Sequence, residues 1–194
     1  NLIAIVDEIY GKIVYDPWKH FSIGSIPGMA ERTITLDAFS KTYAMTGWRC
    51  GYVAAPENVI DAMARIKQVT TGPVATVSQW AGLAAITGPQ DCVQEYKQIY
   101  TERREVLLEG LRKMGFAYGE PRGGLFVWVD SSSAGIHATE LSYLLLKEGR
   151  VLVFPGTAFG EKWRDYIRIT MLEPIDILQE AVERMIPVVT RYRV

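Results

Sequence analysis

A lysine and an arginine stand eight positions apart in the segment LDAFSKTYAMTGWRCGY, where short apolar strands meet a turn of small residues. Burying either charge beside such strands costs several kcal/mol unless the charge is paired or chemically used. A lysine at a strand end, partly desolvated, loses some preference for the ammonium form, and the neutral amine can condense with an aldehyde to a Schiff base. Around Lys41 lie Ser40, the small residues Ala44 and Gly47, and Arg49, a setting in which backbone amides and a guanidinium can cradle a phosphate. Taken singly, Lys41 also reads as a solvated loop lysine and Arg49 as a surface ion pair. Upstream, Asp7 ends the apolar run in LIAIVDEIY, with Tyr10 three residues later. In open α/β sheets ligands collect at the carboxyl ends of strands, so a carboxylate just past a buried run faces the expected cleft. A turn-forming or capping aspartate fits the same stretch.

The elements that must carry these groups alternate between strand and helix. Leu2–Val6 is a continuous β-branched run, as expected of a strand covered on both faces. An irregular segment from Gly11 to Glu31, punctuated by Pro17, Gly24, Pro27 and Gly28, leads to short strands at Thr33–Leu36 and Arg49–Ala54. Helical spacing follows at Asn58–Val69 and Val74–Thr87, parted by Gly72-Pro73. Gly88-Pro89 is the expected domain boundary. After it, Asp91–Met114 reads as a long amphipathic helix closed by Gly115, where a left-handed residue is wanted. Strands are expected at Phe116–Tyr118, Leu125–Val129, Val151–Phe154 and Tyr166–Thr170, with helices at Thr139–Glu148 and Ile175–Val189. The alternation predicts α/β layering in both parts.

Composition excludes several function classes. With 48% hydrophobic and 22% charged residues among 194, the chain is an ordinary globular sequence. Its net charge of -1 forces no basic face of the kind nucleic acid requires. No apolar run approaches the roughly 20 residues of a membrane span, and no signal peptide is evident, so the protein reads as cytoplasmic. Two cysteines, Cys50 and Cys92, argue against a disulfide framework. His20 and His137 have no carboxylate or cysteine cluster at ligand spacing, so a metal site is not expected. Trp18, Tyr43, Trp48 and Phe126 read as core aromatics without a role, and the basic residues of the long helix, interleaved with Glu, as a solvated face.

Together, AFSKTYAMTGWRCG with its upstream Asp-x-x-Tyr resembles the lysine signature of the class I/II pyridoxal-phosphate aminotransferases, the fold-type I enzymes related to aspartate and aromatic amino-acid aminotransferases. PRGGLFVW, FPGTAFG and the arginine of YIRIT resemble the family's small-domain segments. The resemblance implies the last strands and helices of a large cofactor-binding domain over residues 1–88, then a linking helix and small C-terminal α/β domain over 89–194. It implies pyridoxal 5'-phosphate as cofactor, α-amino acid and 2-oxo acid as substrates, and a homodimer. Lys41 would then form the Schiff base and move the substrate proton. Asp7 would pair with the pyridine nitrogen, Tyr10 would donate to the phenolate oxygen, and Ser40 with Arg49 would hold the phosphate. Arg168 would grip the substrate α-carboxylate, while a cross-strand salt bridge is its alternative.

Two positions depart from the family pattern. Ala38 stands where many members have Ser or Gly, which leaves the phosphate to Arg49 and Ser40, and Cys50 replaces an aliphatic residue. Decarboxylases, lyases and synthases on the same scaffold share the motif, and a non-catalytic effector domain descended from such an enzyme is a third reading. The chain starts in mid-strand without Met and matches only the second half of a complete member, so the isolated fragment is expected to be inactive or nearly so. Transamination by this chain alone would refute that expectation.

Overall fold

The computed structural model describes residues 2–193, which form two compact units, Asn1–Lys97 and Gln98–Val194. In the first, β1 (Ala4–Asp7), β2 (Thr33–Ala38) and β3 (Gly51–Ala54) form a sheet in that order. β1 runs parallel to β2 with Asp7 opposite Leu36, and β3 is antiparallel to β2 with Gly51 opposite Ala38. A one-turn helix α1 (Phe39–Thr42) follows β2 directly. Helices α2 (Glu57–Thr70) and α3 (Thr76–Thr87) complete the fold, each within two residues of the bounds that its periodicity predicts. α3 comes so close to the lysine segment that a Cβ on Gly82 would sit 3.0 Å from the ring of Phe39.

The first strand departs from expectation. β1 has a single strand neighbour, and Leu2, Ile3 and Ile5 are 84%, 70% and 70% exposed. The apolar run forms a strand because β-branched side chains suit a pleated backbone, but it is not covered on both faces among the described residues.

The second unit is built on α4 (Asp91–Lys113), whose start belongs to the first unit: Gln90 accepts a hydrogen bond from Tyr43 and Lys97 pairs with Asp16. The two compact units divide inside this helix, between Lys97 and Gln98. Gly115 ends α4 at φ 70°, with Phe116 N–H donating to Leu111 and Gly115 N–H to Arg112, the paired bonds of a Schellman cap. The side chains of Leu111 and Phe116 at the two ends of the longer bond are both buried.

A wholly antiparallel sheet follows, in the order β4 (Ala117–Tyr118), β5 (Phe126–Asp130), β7 (Tyr166–Thr170) and β6 (Phe154–Pro155). Period-two alternation places Val127, Val129, Ile167 and Ile169 on a buried face, in one core with Leu141 and Leu145 of α5 (Ala138–Lys147) and Met185 and Val189 of α6 (Ile175–Tyr192). β6 is shorter than Val151–Phe154 predicts, starting three residues later and ending one residue later. It is an edge strand ending in Pro155, which has no N–H for a ladder. Beyond it the chain turns back so closely that a Cβ on Gly156 would collide with the backbone carbonyls of Trp163 and Tyr166.

Candidate active site

Strand direction gathers the expected groups of the first unit at one end of its sheet. Asp7 is the last residue of β1, Lys41 lies on the helix that leaves the end of β2, and Arg49 stands two residues before β3. Since β3 is antiparallel, its entry and the exits of β1 and β2 share that edge. Tyr10 follows in the turn after Asp7, and Ser40 precedes Lys41 on α1.

Local bonds set each group. Asp7 Oδ1 accepts from the Ile9 N–H at 3.1 Å, and the residue is exposed. Arg49 adopts φ 50°, ψ 44° at the end of the Thr46–Trp48 turn, and its guanidinium donates to the Thr46 carbonyl at 2.9 Å. A left-handed conformation is unfavourable for a residue with a Cβ, and such strain clusters at functional sites. The half-buried Lys41 ammonium has neither a hydrogen bond nor an ion pair among the described residues. Cys50 and Cys92 are free thiols.

Two braces behind this edge escape a reading of the sequence. Tyr52, opposite Asp37 across β2 and β3, donates its hydroxyl to Asp37 Oδ2 at 2.8 Å, and Asp37 Oδ1 accepts from the Ala38 N–H at 2.7 Å. The rings of Tyr52 and Tyr43 flank Phe39 at 5.7 and 6.0 Å, so the residues just before Lys41 are held on both sides. Burial, and then the Asp37 carboxylate that prefers a protonated partner, push the Tyr52 phenol up to about 12. Folding therefore favours the neutral phenol, a contribution complete below the ordinary value of 10 and lost as pH rises through about 12. A spectrophotometric titration is expected to show one tyrosine ionising last among the accessible phenols, and Tyr52→Phe to remove it. If that late ionisation persists in the variant, the assignment fails.

The second brace joins Glu8, His20 and Ser22. Its members are 12 and 14 residues apart across an irregular segment, and no sequence spacing signals the contact.

In the second unit Arg168 lies opposite Trp128 on the face of the sheet away from the valine and isoleucine core. Its guanidinium carbon is 4.4 Å from the Phe126 ring centre, 4.5 Å from Phe159 and 5.2 Å from Phe154. The Nε is buried without a hydrogen-bond partner, and no carboxylate of the described residues pairs with this arginine. The cross-strand salt bridge is thus absent among them. Trp128, Trp163 and Tyr166 pack edge and face around the same surface, at 5.2 to 5.8 Å between ring centres. Phe126 therefore touches the guanidinium and is not simply a core aromatic. The signal was available in part, because alternation in FVWVD and YIRIT sets Phe126, Trp128, Tyr166 and Arg168 apart from the buried valines and isoleucines.

Cation–π contact orients a guanidinium but leaves its N–H donors unused, so an orphaned buried donor asks for an anion. In the first unit an amine without a partner among the described residues, an exposed carboxylate and a strained arginine share one sheet edge, a set suited to an aldehyde-bearing phosphate, and in the second unit the arginine by itself suits a carboxylate.

Comparison with known proteins accords with these observations. The family model described as Aminotransferase class I and II matches residues 1–185. The aspartate aminotransferase of Pyrococcus abyssi is 38% identical over 187 residues, covering 95% of this chain and 48% of the relative. Aromatic-amino-acid aminotransferase 2 of Thermococcus litoralis gives the same identity and shares. The crystal structure of the aromatic aminotransferase from Pyrococcus horikoshii OT3 superposes with a TM-score of 0.94 at 38% identity, covering 98% of this chain and 52% of that one. The chain thus spans about half the length of the relatives it matches.

Proposed function

Because the chain belongs to the family of class I and II aminotransferases, we propose that the protein carrying it transfers an amino group from an α-amino acid to a 2-oxo acid, with pyridoxal 5'-phosphate held at Lys41. The family depends on that cofactor, whose pyridine ring, when bound, takes up the electron pair released at the substrate α-carbon. The observation that carries the proposal is the shared sheet edge of Asp7, Lys41 and Arg49, with a lysine amine that has no partner among the described residues.

The residues present suit the group in chemical type. Lys41 Nζ would be the amine that holds the cofactor by its aldehyde carbon and, as a free amine, the base that would take the proton from the substrate α-carbon. The Asp7 carboxylate would keep a pyridine nitrogen protonated. Tyr10 would donate its hydroxyl to the phenolate oxygen. Arg49 and Ser40 would hold the phosphate, a task left to them by the hydroxyl that Ala38 lacks. Arg168 receives the α-carboxylate as a two-pronged donor. The relatives' names span aspartate and aromatic amino acids, and a carboxylate next to the α-carbon is common to both. The same reading makes residues 1–88 part of a cofactor-binding domain and 89–194 a linking helix with the domain that holds the α-carboxylate. It also makes the protein a cytoplasmic homodimer. No helix among the described residues is long and apolar enough to cross a membrane.

Borohydride reduction of the full-length protein mixed with pyridoxal phosphate, followed by peptide mapping and by product analysis with a 2-oxo acid acceptor, tests the proposal. Selective labelling of Lys41 together with amino-acid product is the expected result. Labelling without amino transfer would overturn the reaction type, and absence of selective labelling would overturn the cofactor assignment.

A further inference from the structure

The turn that follows β1 is held from outside by a side chain that the proposed reaction does not use. Glu8, the residue after Asp7, donates its N–H to the Leu36 carbonyl at 2.8 Å, which fixes it to the end of β2. Its carboxylate turns to the segment before the Ile23–Ser25 helical turn: Oε2 lies 2.9 Å from His20 Nε2, and Oε1 accepts from Ser22 Oγ at 2.7 Å. The Glu8 side chain is only 10% exposed. Burial would raise its carboxyl above the ordinary range, but the bonds from His20 and Ser22 outweigh that and hold it below, so the ionised form is favoured.

The other end of the turn meets the same histidine. Gly11 N–H donates to the Glu8 carbonyl at 2.7 Å and closes the turn, and a Cβ on Gly11 would sit 3.0 Å from His20 Cδ2. The imidazole therefore lies against Gly11 while bonding to Glu8, with Ile9 and Tyr10 between the two contacts. Ile13 N–H donates to the Tyr10 carbonyl at 2.8 Å, and Ile9 N–H to Asp7 Oδ1 at 3.1 Å, so both proposed cofactor contacts hang on this turn. A recess of about 510 Å³ is lined by Glu8, Gly11 and His20 of the clasp together with Lys12, Lys19 and Asp37, so one side of the turn borders open space.

We infer that His20, with Ser22, is a positioning residue: through Glu8 and Gly11 it fixes the turn that aims Tyr10 and Asp7. The inference rests on the assignment of Tyr10 as donor to the phenolate oxygen. A donor there favours the deprotonated form of the bound cofactor, and its loss raises the pH midpoint of the visible absorption band. A turn that wanders weakens that bond without deleting it.

The test is the pH midpoint of the cofactor band in the full-length protein loaded with pyridoxal phosphate, compared among the parent, Tyr10→Phe, His20→Leu, His20→Gln and Ser22→Ala. Tyr10→Phe sets the direction and size of a complete loss. His20→Leu is expected to move the midpoint the same way by about threefold to tenfold in proton affinity, the worth of one net hydrogen bond. Ser22→Ala moves it less, and His20→Gln, whose amide can still donate to Glu8, stays within about twofold of the parent. Should His20→Leu fail to fold, Ser22→Ala decides, because it leaves the ring against Gly11. A shift in Tyr10→Phe with none in the His20 and Ser22 variants overturns the inference alone. No shift in Tyr10→Phe overturns the role of Tyr10 and the inference with it.

Discussion

Lys41→Ala is expected to lower kcat for amino transfer by about four orders of magnitude or more, the upper end of what a positioned acid–base group contributes, while the protein stays folded. Nothing in the structure opposes the second half of that statement. The Lys41 side chain makes no hydrogen bond or ion pair among the described residues, and the helix that carries it is held by Phe39, Thr42 and the Asp37–Tyr52 brace. Removing its side chain leaves no buried partner unsatisfied, so the unfolding midpoint should move little. Lys41→Arg sharpens the test. It keeps a cation at the same place but cannot give up its proton at any ordinary pH, so it can neither condense with an aldehyde nor carry the α-proton. An arginine variant as inactive as the alanine variant means that the amine's chemistry is what matters. Activity in the arginine variant within about tenfold of the parent would reduce Lys41 to an electrostatic role and would sink the proposed mechanism.

Different physics decided what the sequence disclosed. Tyr166–Thr170 was legible to the residue because alternation of Ile167 and Ile169 against polar neighbours leaves one strand register. Gly115 was legible because only a residue free to take positive φ closes a helix with both bonds of a Schellman cap. The edge carrying Asp7, Lys41 and Arg49 could be anticipated from strand ends alone. The exposure of β1 could not, since an apolar run tells that a surface prefers cover but not whether this chain supplies it. The clasp at His20 was invisible, and the Phe154 and Phe159 side of the aromatic wall at Arg168 likewise, for a related reason. Glu8 and His20 are joined across 12 residues of irregular chain, and Phe154 and Phe159 come from an edge strand and the turn after it, whose path is set by the approach of Gly156 to Trp163. Spacing in sequence carries no record of such tertiary returns.

Arg168→Lys should cost about a hundredfold in kcat/KM for the amino acid, chiefly through KM, with the absorption band of the bound cofactor unchanged. Phe126, Phe159 and Phe154 lie 4.4 to 5.2 Å from the guanidinium carbon, so the cation is held by ring faces and its N–H fork is left for a ligand. A planar fork meets a carboxylate with two parallel bonds, and an ammonium meets it with one, without the stacking that sets its direction. Loss of one member of a desolvated charge pair costs about 2 to 5 kcal/mol, and because lysine keeps the charge, the lower half of that range applies, near a hundredfold. Arg168→Leu removes the charge as well and should fall further, while relieving the buried unpartnered Nε and so stabilising the fold slightly or leaving it unchanged. That opposite movement of stability and activity separates a binding role from a structural one. If Arg168→Lys leaves KM unaltered, or if Arg168→Leu lowers the unfolding midpoint sharply, the arginine serves the fold and the carboxylate of the substrate must be held elsewhere.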